Sequence, residues 1–139
     1  MIATEPRAEL GRMFDDAGGS GKPRIGRIAL SYDRDQQSAV KRAMDQFRWF
    51  TGRRSVNAEL PVPASFDAAS RMVREEDVAA QMPCGPDVRL HVAGIRQFEA
   101  AGFTHVALVQ VGADTQESFI SWAATKLLPA LRSHEGGES

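Results

Sequence analysis

The sequence predicts an α/β fold built on a parallel sheet, and three observations carry that prediction. Two short segments, 25–33 and 103–111, are almost continuously apolar, as strands covered on both faces are. Stretches with apolar residues at helical spacing lie before, between and after them. Strands that alternate with helices are the mark of βα units.

The elements follow in chain order. Thr4 is placed to cap a helix whose first turn holds Glu5 and Pro6, with Leu10, Met13 and Phe14 as its apolar face. The glycine- and proline-rich stretch 17–24 ends it. A strand then runs from Ile25 to Asp33. Asp33 or Asp35 caps the next helix, which extends to about Phe50 and buries Val40, Met44 and Phe47.

Residues 51–64 break the pattern with Gly52, Arg53, Arg54, Pro61 and Pro63, and read as an irregular excursion. Ser65 caps a short helix to about Val73, and Glu75, Glu76 and Asp77 open another that ends near Met82. Pro83-Cys-Gly-Pro86 is a compact turn with a minimal strand just before it. Asp87 caps a helix with Leu90 or His91, Val92, Ile95 and Phe98 inward, and Gly102 stops it. The second strand spans 103–111. Asp114 with Glu117 resembles a capping box for a last helix burying Phe119, Ile120, Ala123, Leu127 and Leu131. One domain, 1–132, is expected, followed by a polar, disordered tail at 133–139.

Composition bounds the function. Hydrophobic residues at 42% and charged residues at 25% describe a globular chain, and a net charge of -1 supplies no basic field for nucleic acid or anionic lipid. No apolar run approaches the ~18 residues of a membrane span. The single cysteine, Cys84, forbids an internal disulfide and fits a cytoplasmic setting. His91, His105 and His134 are too scattered for a zinc site. The 17–24 stretch is a surface loop and not a phosphate-binding loop, because Asp16 stands where the first glycine is needed and Pro23 replaces the hydroxyl residue. Cys84 reads as a buried, inert thiol.

Two strands do not close a sheet, since parallel strands need neighbours on both edges. The count points to a piece of something larger, and four stretches say of what. They are Ile2-Ala-Thr-Glu-Pro-Arg7; residues 17–24 running into Gly26-Arg-Ile-Ala-Leu-Ser-Tyr32; Glu75 to Asp87 with His91-Val92; and Ala101-Gly-Phe-Thr-His-Val106 through Gln110-Val-Gly112, with Gln116, Phe119 and 127–132. In this order they resemble the luciferase-like flavin- and deazaflavin-dependent oxidoreductases, specifically the coenzyme F420-dependent branch related to F420-dependent glucose-6-phosphate dehydrogenase.

The resemblance implies a partial TIM (β/α)8 barrel, about its last three βα units with a helical excursion, in a fold that takes ~200 or more residues. Met1 falls where the family is in mid-strand, so a truncated form with little activity of its own is expected. The implied reaction is hydride transfer between F420 (FMN is the alternative) and a small polar or phosphorylated substrate. The usual catalytic residues belong to earlier strands, so none is assigned here.

The implied substrate-binding residues are Thr4, Arg7, Asn57 and Gln110. Thr4 and Arg7 match positions at the substrate in sugar-phosphate members, where Arg7 stands for a phosphate-binding Lys. Asn57 takes the place of a second such Lys, a few residues after Arg53 and Arg54, and Gln81 replaces a third, cationic ligand; these changes put glucose 6-phosphate in doubt. Gln110 is chosen because it lies at the C-terminal end of a strand, where barrel chemistry occurs. Its competing role is a structural amide, and Thr4 competes as an N-cap. The expected partners are a small molecule and a second copy of the chain, with neither nucleic acid nor membrane. The competing reading of the whole chain is a non-catalytic α/β fragment or oligomerisation module.

Overall fold

The computed structural model describes residues 1–48 and 70–133. The expected excursion with Asn57, Arg53 and Arg54, most of the helix expected from Ser65, and the tail beyond Ser133 lie outside the described residues.

Three parallel strands form one sheet in the order β1-β2-β3: β1 is Ile2–Ala3, β2 is Ile25–Leu30 and β3 is His105–Gln110. β2 is central. It pairs with β3 along its whole length, from Ile25 opposite His105 to Leu30 opposite Gln110. Its other edge pairs with β1 only at Ile25 and Gly26. At Ser31 the chain makes one further parallel bridge on that edge, to Cys84. The minimal strand expected before the Pro83–Pro86 turn is therefore Cys84 itself. The strand expected over 25–33 stops at Leu30, because beyond it Tyr32 bonds a side chain instead of a ladder.

The helices are α1 (Ala8–Phe14), α2 (Gln36–Phe47), α3 (Glu75–Gln81), α4 (Val88–Ala100), α5 (Gln116–Trp122) and α6 (Leu128–Ser133). A wider π-type turn, Ala123–Leu127, joins α5 to α6, and another, Asp15–Gly19, extends α1. α2 begins where Asp35 Oδ2 accepts the Ser38 N–H at 2.7 Å, as a cap at this position should. Asp87 does the same for α4, accepting from Arg89 N at 3.0 Å. Gly102 ends α4 in the left-handed region, φ +82, while the Phe103 N–H reaches back to the Phe98 carbonyl at 3.0 Å.

Four expectations at helix ends and faces are corrected. Thr4 is not an N-cap: it lies in a bend, and α1 starts after an extended Arg7 that makes no side-chain cap. Met13 is 61% exposed, since α1 packs on one edge of the fold and not in its centre. The Asp114 capping box is absent; a short 3-10 turn, Ala113–Thr115, leads into α5. Ile120 is 63% exposed because Phe119 takes the inward position.

The sheet is covered on both faces, which is why its strands lack alternation. Leu30, Tyr32, Ile95, Phe119, Ala123 and Leu127 form the core on one face, with Ile28, Val106 and Leu108 pressed against it. On the other, Ala39, Ala43, Val78, Met82, Cys84 and Val111 cluster with Ala29. Ile28 and Leu30 thus point one way and Ala29 the other, the two-residue period of a strand. Leu127 is wholly buried, a burial that stabilises by about 1.5–3 kcal/mol.

Candidate functional site

Parallel strands put their carboxyl ends on one side of the sheet, where ligands of such folds bind. Here that side carries Thr4 after β1, Ser31 to Asp33 after β2, and Gln110 to Gly112 at the end of β3. A cleft of about 500 Å³ opens beside the end of β1, within the range of small-molecule sites. Thr4, Pro6, Arg27, Gln81, Met82 and Phe98 are among the residues that line it. Thr4 and Gln81, two positions singled out by the resemblance, thus share one cleft. Arg27 was not anticipated, although a cation inside an apolar strand was the available signal. It is exposed, and no ion pair holds it among the described residues.

Arg7 does not line this cleft. Its guanidinium donates to Glu9 at 2.8 Å and stands 3.6 Å from Glu5, and the Glu9 hydrogen bond and charge raise its pKa further. Two carboxylates already neutralise it, which opposes the phosphate-gripping role implied by the resemblance. Asn57 lies outside the described residues.

Gln110 is buried and fully engaged. Its Oε1 accepts the Tyr32 N–H at 2.9 Å, and its Nε2 donates to the Tyr32 carbonyl at 3.0 Å and to Thr115 Oγ1 at 2.9 Å. The amide therefore continues the β2–β3 ladder by side chain, at Tyr32, two residues past Leu30 of the last backbone pair. It does not line the cleft. Arg42 covers the strand ends beside it, donating to the Tyr32 carbonyl at 3.2 Å and to Asp33 Oδ2 at 2.5 Å. The Asp33 carboxyl is held below its usual range by that arginine.

Two reactive residues are held inert. Burial pushes the Cys84 thiol up to about 11, so no thiolate is available at neutral pH. The His91 ring is fully buried, its Nε2 donates to the Gly85 carbonyl at 2.9 Å, and its edge meets Trp122 at 4.9 Å between centroids. Its Nδ1 has no partner among the described residues. Of the two alternatives Leu90 and His91, His91 is the inward residue and Leu90 is half exposed. Among the described residues no group of acidic, His and Cys side chains is arranged to hold a metal, and no helix is long and apolar enough to cross a membrane.

Among the solved structures that share this fold are two F420-dependent proteins. One is an F420-dependent secondary alcohol dehydrogenase in complex with an F420-acetone adduct (TM-score 0.65, 18% identity, covering 94% of this chain and 41% of that one). The fold of this chain is that of part of that protein. The other is the coenzyme F420-dependent tetrahydromethanopterin reductase from Methanopyrus kandleri (TM-score 0.63, 17% identity, 94% and 44% coverage). The chain spans less than half the length of either. No protein-family model and no curated sequence matches it.

Proposed function

We propose that this chain forms about the last three βα units of a luciferase-like TIM barrel, and that this barrel is an F420-dependent oxidoreductase. The carrying observation is that 94% of the chain superposes on part of each of two F420-dependent proteins. The four ordered sequence stretches support the same family independently. F420 supplies the hydride chemistry when bound; the protein supplies orientation and electrostatics.

The cleft fits a small polar substrate: Thr4 and Arg27 line it together with the apolar side chains of Met82 and Phe98. Arg27 is the better candidate for an anionic group, since Arg7 is taken by Glu5 and Glu9. Arg42 and Gln110 bond across the neighbouring strand ends at Tyr32. The chain thus offers substrate contacts and one wall of a cofactor site.

The test is a titration of the purified chain with F420, read by absorbance and fluorescence. Weak, saturable binding is expected, without turnover. No binding at about 50 μM, which corresponds to less than about 6 kcal/mol, counts against an autonomous cofactor site. That outcome favours the second reading, a non-catalytic α/β module, which the closure of the strand ends by Arg42 and Gln110 supports.

A further inference from the structure

The lining of the cleft beside β1 sets the charge of the molecule it can hold. Among the described residues only two of the lining side chains are charged, Arg27 and Glu5. They do not pair with each other. Glu5 stands 3.6 Å from Arg7, which lies outside the lining, and Arg27 has no ion pair among the described residues. Thr4, Gln81 and Gln97 add neutral polar groups. The rest of the lining is apolar and includes Phe47, Val78, Met82, Leu90 and Phe98.

Arg27 and Glu5 cancel in formal charge, so the cleft has no surplus of positive charge to spend on a dianion. A phosphate monoester carries about −1.5 to −2 at neutral pH. Arg27 balances one unit of that, and the remainder faces the Glu5 carboxylate, a like charge that opposes it. A carboxylate carries one unit, and its two oxygens match the planar fork of a guanidinium in paired hydrogen bonds. The apolar lining decides the rest of the ligand. Each methylene it takes from water tightens binding about 4-fold, whereas one exposed ion pair contributes about 2- to 5-fold. The body of the ligand therefore supplies most of the affinity, and Arg27 supplies the choice between acid and neutral analogue.

We infer that the cleft binds a monocarboxylic acid with a compact apolar body, its carboxylate at Arg27, in preference to a phosphate ester. The inference rests on the reading of the cleft as a substrate site and names the substrate class for it.

The test uses the 15N-labelled whole chain without F420, titrated with hexanoate, butanoate, hexan-1-ol and hexyl phosphate and followed by amide chemical shifts. Saturable millimolar binding of hexanoate is expected, with the largest shifts at Thr4, Ala29, Gly94 and Phe98, which line the cleft. Hexanoate should bind about 10-fold tighter than butanoate, about 3-fold tighter than hexan-1-ol, and tighter than hexyl phosphate. Arg27→Gln, a change at an exposed side chain, should equalise hexanoate and hexan-1-ol while keeping the dependence on alkyl length, which shows that the cleft is still formed. Tighter binding of hexyl phosphate, equal binding of hexanoate and hexan-1-ol by the unaltered chain, or an acid preference that survives Arg27→Gln overturns the proposal. Absence of saturation by about 50 mM hexanoate overturns it as well. Hexanoate binding by a chain that does not bind F420 upholds this inference and counts against the oxidoreductase reading; F420 binding with a preference for hexyl phosphate does the reverse.

Discussion

Replacing Gln110 with Leu keeps the volume of the side chain and removes its three hydrogen bonds, so it isolates the clamp across the strand ends. The Tyr32 N–H loses the acceptor at 2.9 Å and is left buried; an orphaned donor of this kind costs about 1–3 kcal/mol. The Tyr32 carbonyl loses one donor but keeps Arg42 at 3.2 Å, a smaller loss of about 1 kcal/mol. Thr115 Oγ1 keeps its bonds to the Val111 and Gly112 carbonyls at 2.9 Å and loses little. The sum is about 2–4 kcal/mol, or a fall in Tm of about 10 °C for a chain of this length, measured by circular dichroism. Gln110→Glu sharpens the test. It preserves the acceptor for Tyr32 N–H but turns an oxygen toward the Tyr32 carbonyl, which only a protonated carboxyl can satisfy. Its folded pKa is therefore raised above the ~4.3 of free glutamate. Stability relative to wild type is fully present below that value and is lost as pH rises through the folded pKa. A Leu variant melting within about 2 °C of wild type, or a Glu variant with no such pH dependence, refutes the clamp.

Two further outcomes follow from packing. Gly26 lies against Phe98, and a methyl group there falls within the van der Waals surface of the ring. Gly26→Ala is expected to destabilise by about 1–3 kcal/mol, read as a lower urea midpoint; an unchanged midpoint sinks the packing argument. His91 is buried as the neutral ring, and burial lowers its pKa against the weaker opposing pull of the Gly85 carbonyl and Asp87. The unfolded chain then binds the proton more readily. Stability is present above the ordinary histidine pKa of ~6.5 and falls as pH drops below it toward the folded value. His91→Gln, which keeps a donor for the Gly85 carbonyl, should flatten the urea midpoint between about pH 7.5 and 5.5, and an identical pH slope in both proteins contradicts it.

The sequence by itself determined the class of fold and the positions of its central elements. The apolar runs at 25–33 and 103–111 contain the strands, Ile25–Leu30 and His105–Gln110, because a strand buried on both faces has no solvent side to alternate with. Asp87 and Gly102 marked helix ends correctly, and of the alternatives Asp33 and Asp35 the structure uses Asp35, since capping and the left-handed glycine stop are local chemistry. The inert burial of Cys84 was legible as well. Tertiary structure decided what spacing cannot encode. Whether Phe119 or Ile120, or Leu90 or His91, turned inward depended on what lay opposite the helix. Thr4 ended in a cleft with Gln81, some 77 residues later in the chain, because β1 and α3 meet the same edge of β2. The amide of Gln110, expected at a substrate, was drawn to Tyr32 because buried backbone beyond the last ladder pair must find a partner, and only the folded sheet brings that backbone within reach.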